Sequence, residues 1–220
     1  MATSNTTVQR ASLPELSKSH LLQLSPWYLL TQLLRNEQLM TTDYEELEIA
    51  SLPLATDKDF VALVTSFSVD PDSPDLSFMQ RDGATAVIDL ATEFEKYGVA
   101  SNPDLIARVI GRLSDIQVRD FALGTHNSES FETYWLMWHY LLQIAPKGFV
   151  APVATLFATL AYERSDTPLA YRSLDRASAD APGYSLTILL RRVFGSGWPA
   201  NAFAAMRIEL HPKVTAGIFE

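Results

Sequence analysis

Residues 131–145 constrain the fold more than any other stretch, because they are apolar on two faces of one helix. Phe131, Trp135, Trp138, Leu142 and Ala145 recur at spacings of four and three, and Tyr134, Met137, Leu141 and Ile144 form a second stripe. A helix with two apolar faces has to be covered on both, which places it inside a helical bundle. Only a thin strip of Glu132, His139 and Gln143 is left polar. The aromatic stripe itself reads as core, because such side chains bury large areas.

The rest of the chain carries helix signals of the same kind. Ser12 followed by Glu15 forms a capping box, and Ser25-Pro26 opens a second helix. Asp57 precedes Phe60, Leu63, Val64 and Phe67 at helical spacing, although Val61, Val64 and Val69 leave a strand open there. Further helices are expected at 84–97, closed by Gly98, from Asn102-Pro103, and from Ser114-Asp115 to Gly124. After a polar loop at 125–130 and the 131–145 helix come helices at 150–163 and 168–179. The second of these is opened by Ser165-Asp166-Thr167-Pro168. One more runs over 184–194, before Gly195, Gly197 and Pro199. Residues 208–220 alternate weakly and read as a tail, either a short strand or disordered. Strand-turn-strand signatures such as Asn-Gly are missing. The expectation is an all-α bundle in three parts: an acidic helical region 1–75, a helical domain 76–207 and a tail 208–220. The first seam is placed in the loop Val69-Asp-Pro-Asp-Ser-Pro-Asp75.

Composition narrows the function classes. At 47% hydrophobic and 20% charged residues, the chain is too apolar for disorder. With no cysteine it has no disulfide, thiolate nucleophile or Cys-ligated metal. The net charge of -9 lies wholly in residues 1–100, which hold six Lys/Arg against fifteen Asp/Glu, whereas residues 101–220 hold eleven of each. Such a surface repels phosphate backbones and disfavours nucleic acid as a partner. The polar start and the lack of an apolar run of about 18 residues speak for no membrane span and a cytoplasmic location.

A search for chemistry finds no phosphate loop, no zinc helix and no nucleophile elbow, so no catalytic residue, metal ligand or cofactor is assigned. Gly195-Ser196-Gly197 lacks the third glycine of a dinucleotide fingerprint and follows a helix, so it reads as a turn. Among the four histidines, only His126, beside Asn127 in the 125–130 loop, is placed for catalysis, and a loop-capping role competes with that reading. Asp89 and Glu93 share a helix face, as Glu45, Glu46 and Glu48 share an acidic run, and both read as solvated. Arg191-Arg192 could grip an anion, but adjacent residues point about 100° apart on a helix, so only one can face a given site.

Two resemblances follow. Ala170-Tyr-Arg-Ser-Leu174-Asp-Arg-Ala177 with Pro182 resembles the second helix of a tetratricopeptide repeat, and Ala158 sits where that repeat wants a small residue. More widely, Ser114-Asp-Ile-Gln-Val-Arg119-Asp120, Ala151-Pro-Val-Ala-Thr155, Ala170 to Ala177 and Pro182-Gly-Tyr184-Ser185-Leu186 resemble the C-terminal part of the actinobacterial domain-of-unknown-function 4192 family, over residues 85–205. That resemblance implies a helical fold in a bacterial cytoplasm and no assigned activity. On the 150–163 helix, Val153, Phe157 and Leu160 are expected to face inward. Thr155, Thr159 and Tyr162, with Glu163 at the edge, are expected on the opposite, exposed face. In a tetratricopeptide-like register these four residues would line the concave groove. The functional expectation is a protein-interaction or scaffold module with a protein or peptide partner. A small-molecule-binding regulatory sensor, or an enzyme with dispersed catalytic residues, stands as the alternative.

Overall fold

The computed structural model describes residues 57–220, and 75% of them lie in nine helices, with no strand among the described residues. These are α1 (Lys58–Ser66), α2 (Leu76–Tyr97), α3 (Pro103–Arg112), α4 (Ile116–Gly124), α5 (Phe131–Ile144), α6 (Val150–Glu163), α7 (Thr167–Asp180), α8 (Ser185–Gly195) and α9 (Ala200–Phe219). The helix starts proposed at Ser12 and Ser25 and the acidic run at 45–48 lie outside the described residues.

The caps form as the residue types dictate. The carboxylate of Asp57 accepts from Asp59 N, Asn102 Oδ1 from Asp104 N and Leu105 N, and Asp115 Oδ1 from Gln117 N and Val118 N. Gly98, at φ 71°, closes α2 by donating its N–H to Phe94 O. α2 starts at Leu76, a full two turns before the expected 84, because Gly83 continues the helix. Glycine is needed there: a Cβ would stand 2.8 Å from Arg112 Cβ and 2.9 Å from Val118 Cγ1.

The expected seam at residue 75 is not a seam. α1 lies against α3, burying Phe60 and Val64, and Gly111 lets the helices approach so closely that a Cβ would meet Val64 O at 2.4 Å. Arg112 Nη1 donates to Phe67 O and Ser114 Oγ accepts from Val69 N, tying the loop down. Across α2 and α3, Asp82 accepts from Arg112 Nε at 2.9 Å and from Arg108 Nη1 at 3.3 Å.

The core is built around α5 and α6. Trp138 is fully buried and Trp135 nearly so. Two of the three residues of the polar strip of α5 are buried as well, Glu132 staying exposed: His139 and Gln143 lie inside, with Gln143 Nε2 3.4 Å from His139 Nε2. Burial pushes the His139 imidazole down to about 4. α6 is buried at every position from Val150 to Tyr162, with α4, α5, α7, α8 and α9 packed around it. Its hairpin with α7 is the most extensive helix contact among the described residues. Asp180, at the end of α7, closes that hairpin by accepting from Gly148 N, Val150 N and Ala151 N.

Residues 208–220 are not a tail. They complete α9, which docks along Phe203, Arg207, His211, Val214 and Ile218, a stripe with spacings of four, four, three and four. Ile218 packs with Ala84 and Phe121, and the His211 ring lies 5.1 Å from the Phe121 ring. Gly124 makes room for it, since a Cβ there would fall 2.3 Å from His211 Nδ1. Pro212 interrupts the backbone ladder on an exposed position without ending the helix. No helix among the described residues is long and apolar enough to cross a membrane.

Candidate functional site

A buried constellation joins three distant parts of the chain. His126 comes from the loop after α4, Glu163 from the last position of α6, and Arg207 from the middle of α9. Arg207 Nε donates to Glu163 Oε1 at 2.7 Å and Nη2 to Glu163 Oε2 at 3.2 Å. Its remaining arm, Nη1, donates to the carbonyls of Gly124 at 3.1 Å and His126 at 2.8 Å. His126 Nε2 lies 3.0 Å from Glu163 Oε2. All three side chains are nearly inaccessible to solvent, at 1% for His126, 7% for Glu163 and 3% for Arg207.

Burial pushes His126 below the usual imidazole range, and the nearby Arg207 charge adds to this, outweighing the hydrogen bond that His126 donates to Glu163, which favours the cation. Burial alone would raise Glu163. Its hydrogen bonds to His126 and Arg207 and the guanidinium charge outweigh that, and its carboxyl lies below the ordinary range. At neutral pH the constellation is therefore a carboxylate and a guanidinium beside a neutral imidazole, with no net charge. A neutral imidazole facing a carboxylate carries its proton on Nε2, which leaves Nδ1 an acceptor, and Nδ1 is buried with no hydrogen-bond partner. His211 Nδ1 is likewise buried and unpartnered.

The constellation lies in the wall of a half-open cavity of about 490 Å³, lined as well by Asn127, Ser128, Phe131 and Ser165 and by Ala200, Asn201, Ala204 and Ile208 of α9. That volume falls in the range of small-molecule sites. Ser165 has a positive φ of 66°, where the other positive-φ positions among the described residues are all glycines. A non-glycine residue in that region costs about 1 kcal/mol or more.

Of the four residues the sequence singled out, Glu163 alone reaches this cavity. The expected exposed face of α6 does not exist. Thr155 and Thr159 are fully buried, and each hydroxyl donates back into its own helix, Thr155 to Ala151 O and Pro152 O, Thr159 to Leu156 O. A threonine so satisfied presents only its methyl group outward, so a polar wheel position can be packed over. Tyr162 is buried too, stacked at 3.9 Å on Phe194, with its hydroxyl donating to Trp198 O. Val153, Phe157 and Leu160 face inward as expected.

His126 is in the site, while the loop capping belongs to Asn127, whose Oδ1 accepts from Glu129 N and Ser130 N. Sequence reasoning missed Arg207 and His211. The available signal was their place on the 203–218 stripe, hidden because a search for apolar periodicity skips an arginine and a histidine. Arg191 pairs with Asp175 of α7 and is committed to structure. Among the described residues no group of three or more His, Asp or Glu is arranged to hold a metal ion. A second, more open hollow of about 520 Å³ is lined by Phe78, Arg81, Asp82 and Thr85 on the outer face of α2.

No curated protein and no solved structure matches the chain. Residues 54–201, more than half of the chain, match the family described as a domain of unknown function, DUF4192, and the match takes in α1, which the resemblance over 85–205 had left out. It stops at the second residue of α9, so His126 and Glu163 fall inside it and Arg207 beyond it. The chain belongs to the DUF4192 family.

Proposed function

We propose that this chain is a helical module that binds a small molecule in the cavity between α9 and the loops after α4 and α6, and that occupancy of that cavity is what it senses. The observation that carries this reading is the buried His126–Glu163–Arg207 constellation in the cavity wall. A charge-balanced ionic cluster with a displaced imidazole beside a cavity of ligand size is the arrangement in which functional sites are found. The sensing step follows from where the walls come from. Two loops and α9 each contribute a wall, so a ligand touching all three binds only when α9 is docked. It stabilises that state by mass action.

The test is ligand-observed NMR on the full chain with a diverse library of small polar molecules, comparing wild type with Ala204→Trp, which fills the cavity. Binders that saturate wild type and vanish in a folded Ala204→Trp variant support the reading. Binders unaffected by the indole, or no binder at all, overturn it.

A second reading, a protein-interaction or scaffold module with a protein or peptide partner, is favoured by the outer face of α2. Phe78 is 67% exposed and Ile88 44% exposed there, on either side of Thr85. The α6–α7 hairpin as a tetratricopeptide-like pair belongs to this reading, now without an open groove at Thr155, Thr159 and Tyr162. Phe78→Asp should abolish capture of a defined partner by that face and leave the cavity's ligand binding intact. The family resemblance supports an actinobacterial cytoplasm as the setting for either reading.

A further inference from the structure

We infer that the cavity takes an uncharged, ring-bearing ligand rich in hydroxyl groups, a sugar or a nucleoside, and that Ser165 is the residue that selects it. This rests on the ligand-binding reading above. The charges of the cavity wall are closed on themselves. Both oxygens of Glu163 already accept from Arg207 or His126, and the guanidinium of Arg207 is committed to Glu163 and to two backbone carbonyls. A charged ligand group would meet no free counter-charge there, and desolvating an ion without one is far more costly than desolvating a hydroxyl.

What remains free around the rim is neutral. Asn127 and Asn201 use their side-chain oxygens on local backbone N–H groups, which leaves their amide nitrogens available. Ser128 and Ser165 line the same rim and are exposed. Phe131 supplies an aromatic surface on which the face of a sugar or base can lie.

Ser165 stands on the same rim. It is the one non-glycine residue at positive φ among the described residues, in a turn where glycine would relieve the backbone. That conformation closes α6, with Ser165 N–H donating to Tyr162 O and Asp166 N–H to Ala161 O, and it leaves the Ser165 hydroxyl exposed on the cavity rim where a ligand can meet it.

The experiment is isothermal titration of the full chain with matched pairs, glucose against glucose 6-phosphate and glucuronate, and adenosine against its 5′-monophosphate. The neutral member of at least one pair should bind, with its charged counterparts at least about tenfold weaker, and the two pairs separate sugar from nucleoside. Ser165→Gly should melt higher than wild type and yet bind that ligand about tenfold more weakly, the change expected for one lost hydrogen bond. A purely structural Ser165 would give the higher melting temperature with unchanged affinity, and that result overturns its assignment. Charged members binding as tightly as their neutral partners overturn the ligand class. If Ala204→Trp abolishes that binding, the cavity reading survives without the class. If no pair binds while other library members do, the class falls alone, and if nothing binds, both fall.

Discussion

Replacing Gly111 with alanine tests whether α1 is held by close backbone contact. In an open helix the change would help, because alanine is favoured over glycine by about 1 kcal/mol in a helix interior. At the crossing of α3 with α1 the new Cβ would stand 2.4 Å from Val64 O, 2.6 Å from Phe67 Cβ and 3.0 Å from Phe67 C. Two of these three atoms are backbone, so no rotamer change relieves the clash, and α1 must retreat by about 1 Å to restore contact near 3.4 Å. Overpacking of this kind costs about 1–3 kcal/mol where the structure gives a little. If α1 lifts off instead, Phe60 and Val64 lose their burial, at about 1.5–3 kcal/mol each.

After the propensity gain the net loss therefore lies between about 0 and about 2 kcal/mol where the structure gives, and between about 2 and about 5 kcal/mol where α1 lifts off. The assay is urea denaturation followed by far-ultraviolet dichroism, with amide exchange over 58–66 to separate a shifted α1 from a detached one. Gly217→Ala is the internal control, since no atom lies within 4 Å of a Cβ there, and it should be neutral or stabilising by up to about 1 kcal/mol. If Gly111→Ala were as stable as Gly217→Ala, the account of that crossing would be wrong.

Trp138→Ala should cost about 3–5 kcal/mol, measured in urea, because the side chain is fully buried. Trp138→Phe should cost much less, since the indole N–H has no hydrogen-bond partner to lose. Arg207→Met should cost about 3–5 kcal/mol, because it strands the Glu163 carboxylate and two carbonyls in the interior, and a wild-type unfolding midpoint would contradict the pairing described. Asp180→Ala should lose about 1–3 kcal/mol by uncovering three N–H groups at the α6 end of the hairpin, read as faster exchange at 148–151. Acid should destabilise the chain through its histidines. A folded-state pKa below the unfolded 6.5 means the unfolded chain binds more protons, so the stability is present above pH 6.5 and is lost as pH falls toward the folded value. For His139, at about 4, the loss by pH 5 is about 2 kcal/mol, and His139→Gln should flatten the slope between pH 7 and 5.

Most of the fold was legible because it is written in local chemistry. Asp57, Asn102, Asp115 and Asp166 cap the helices that follow them, and Gly98 ends α2 in the left-handed conformation that only glycine adopts freely. These are interactions within about four residues, and a sequence displays them directly. The helix crossings were not legible in the same way. At Gly83, Gly111 and Gly124 a Cβ would collide with a neighbouring element, although Gly124 also ends α4 as its sequence position suggests. Whether a glycine marks an end or a contact depends on what lies opposite it, which no local window contains.

The candidate site was illegible for a related reason. Its three side chains are separated by 37 residues from His126 to Glu163 and by 44 from Glu163 to Arg207, so no spacing rule connects them. Each also has a misleading address: a polar loop, the last residue of a helix, and the position just before the expected tail at 208–220. The inference that failed was that polarity implies exposure. Thr155 and Thr159 are polar and buried because their hydroxyls are satisfied within the helix, and Arg207 is charged and buried because Glu163 and two carbonyls accept from all three of its nitrogens. Burial follows from satisfied hydrogen-bonding capacity, whatever the residue type. By the same reasoning, Nδ1 of His126, buried in the cavity wall without a hydrogen-bond partner, is where a role beyond folding is to be sought.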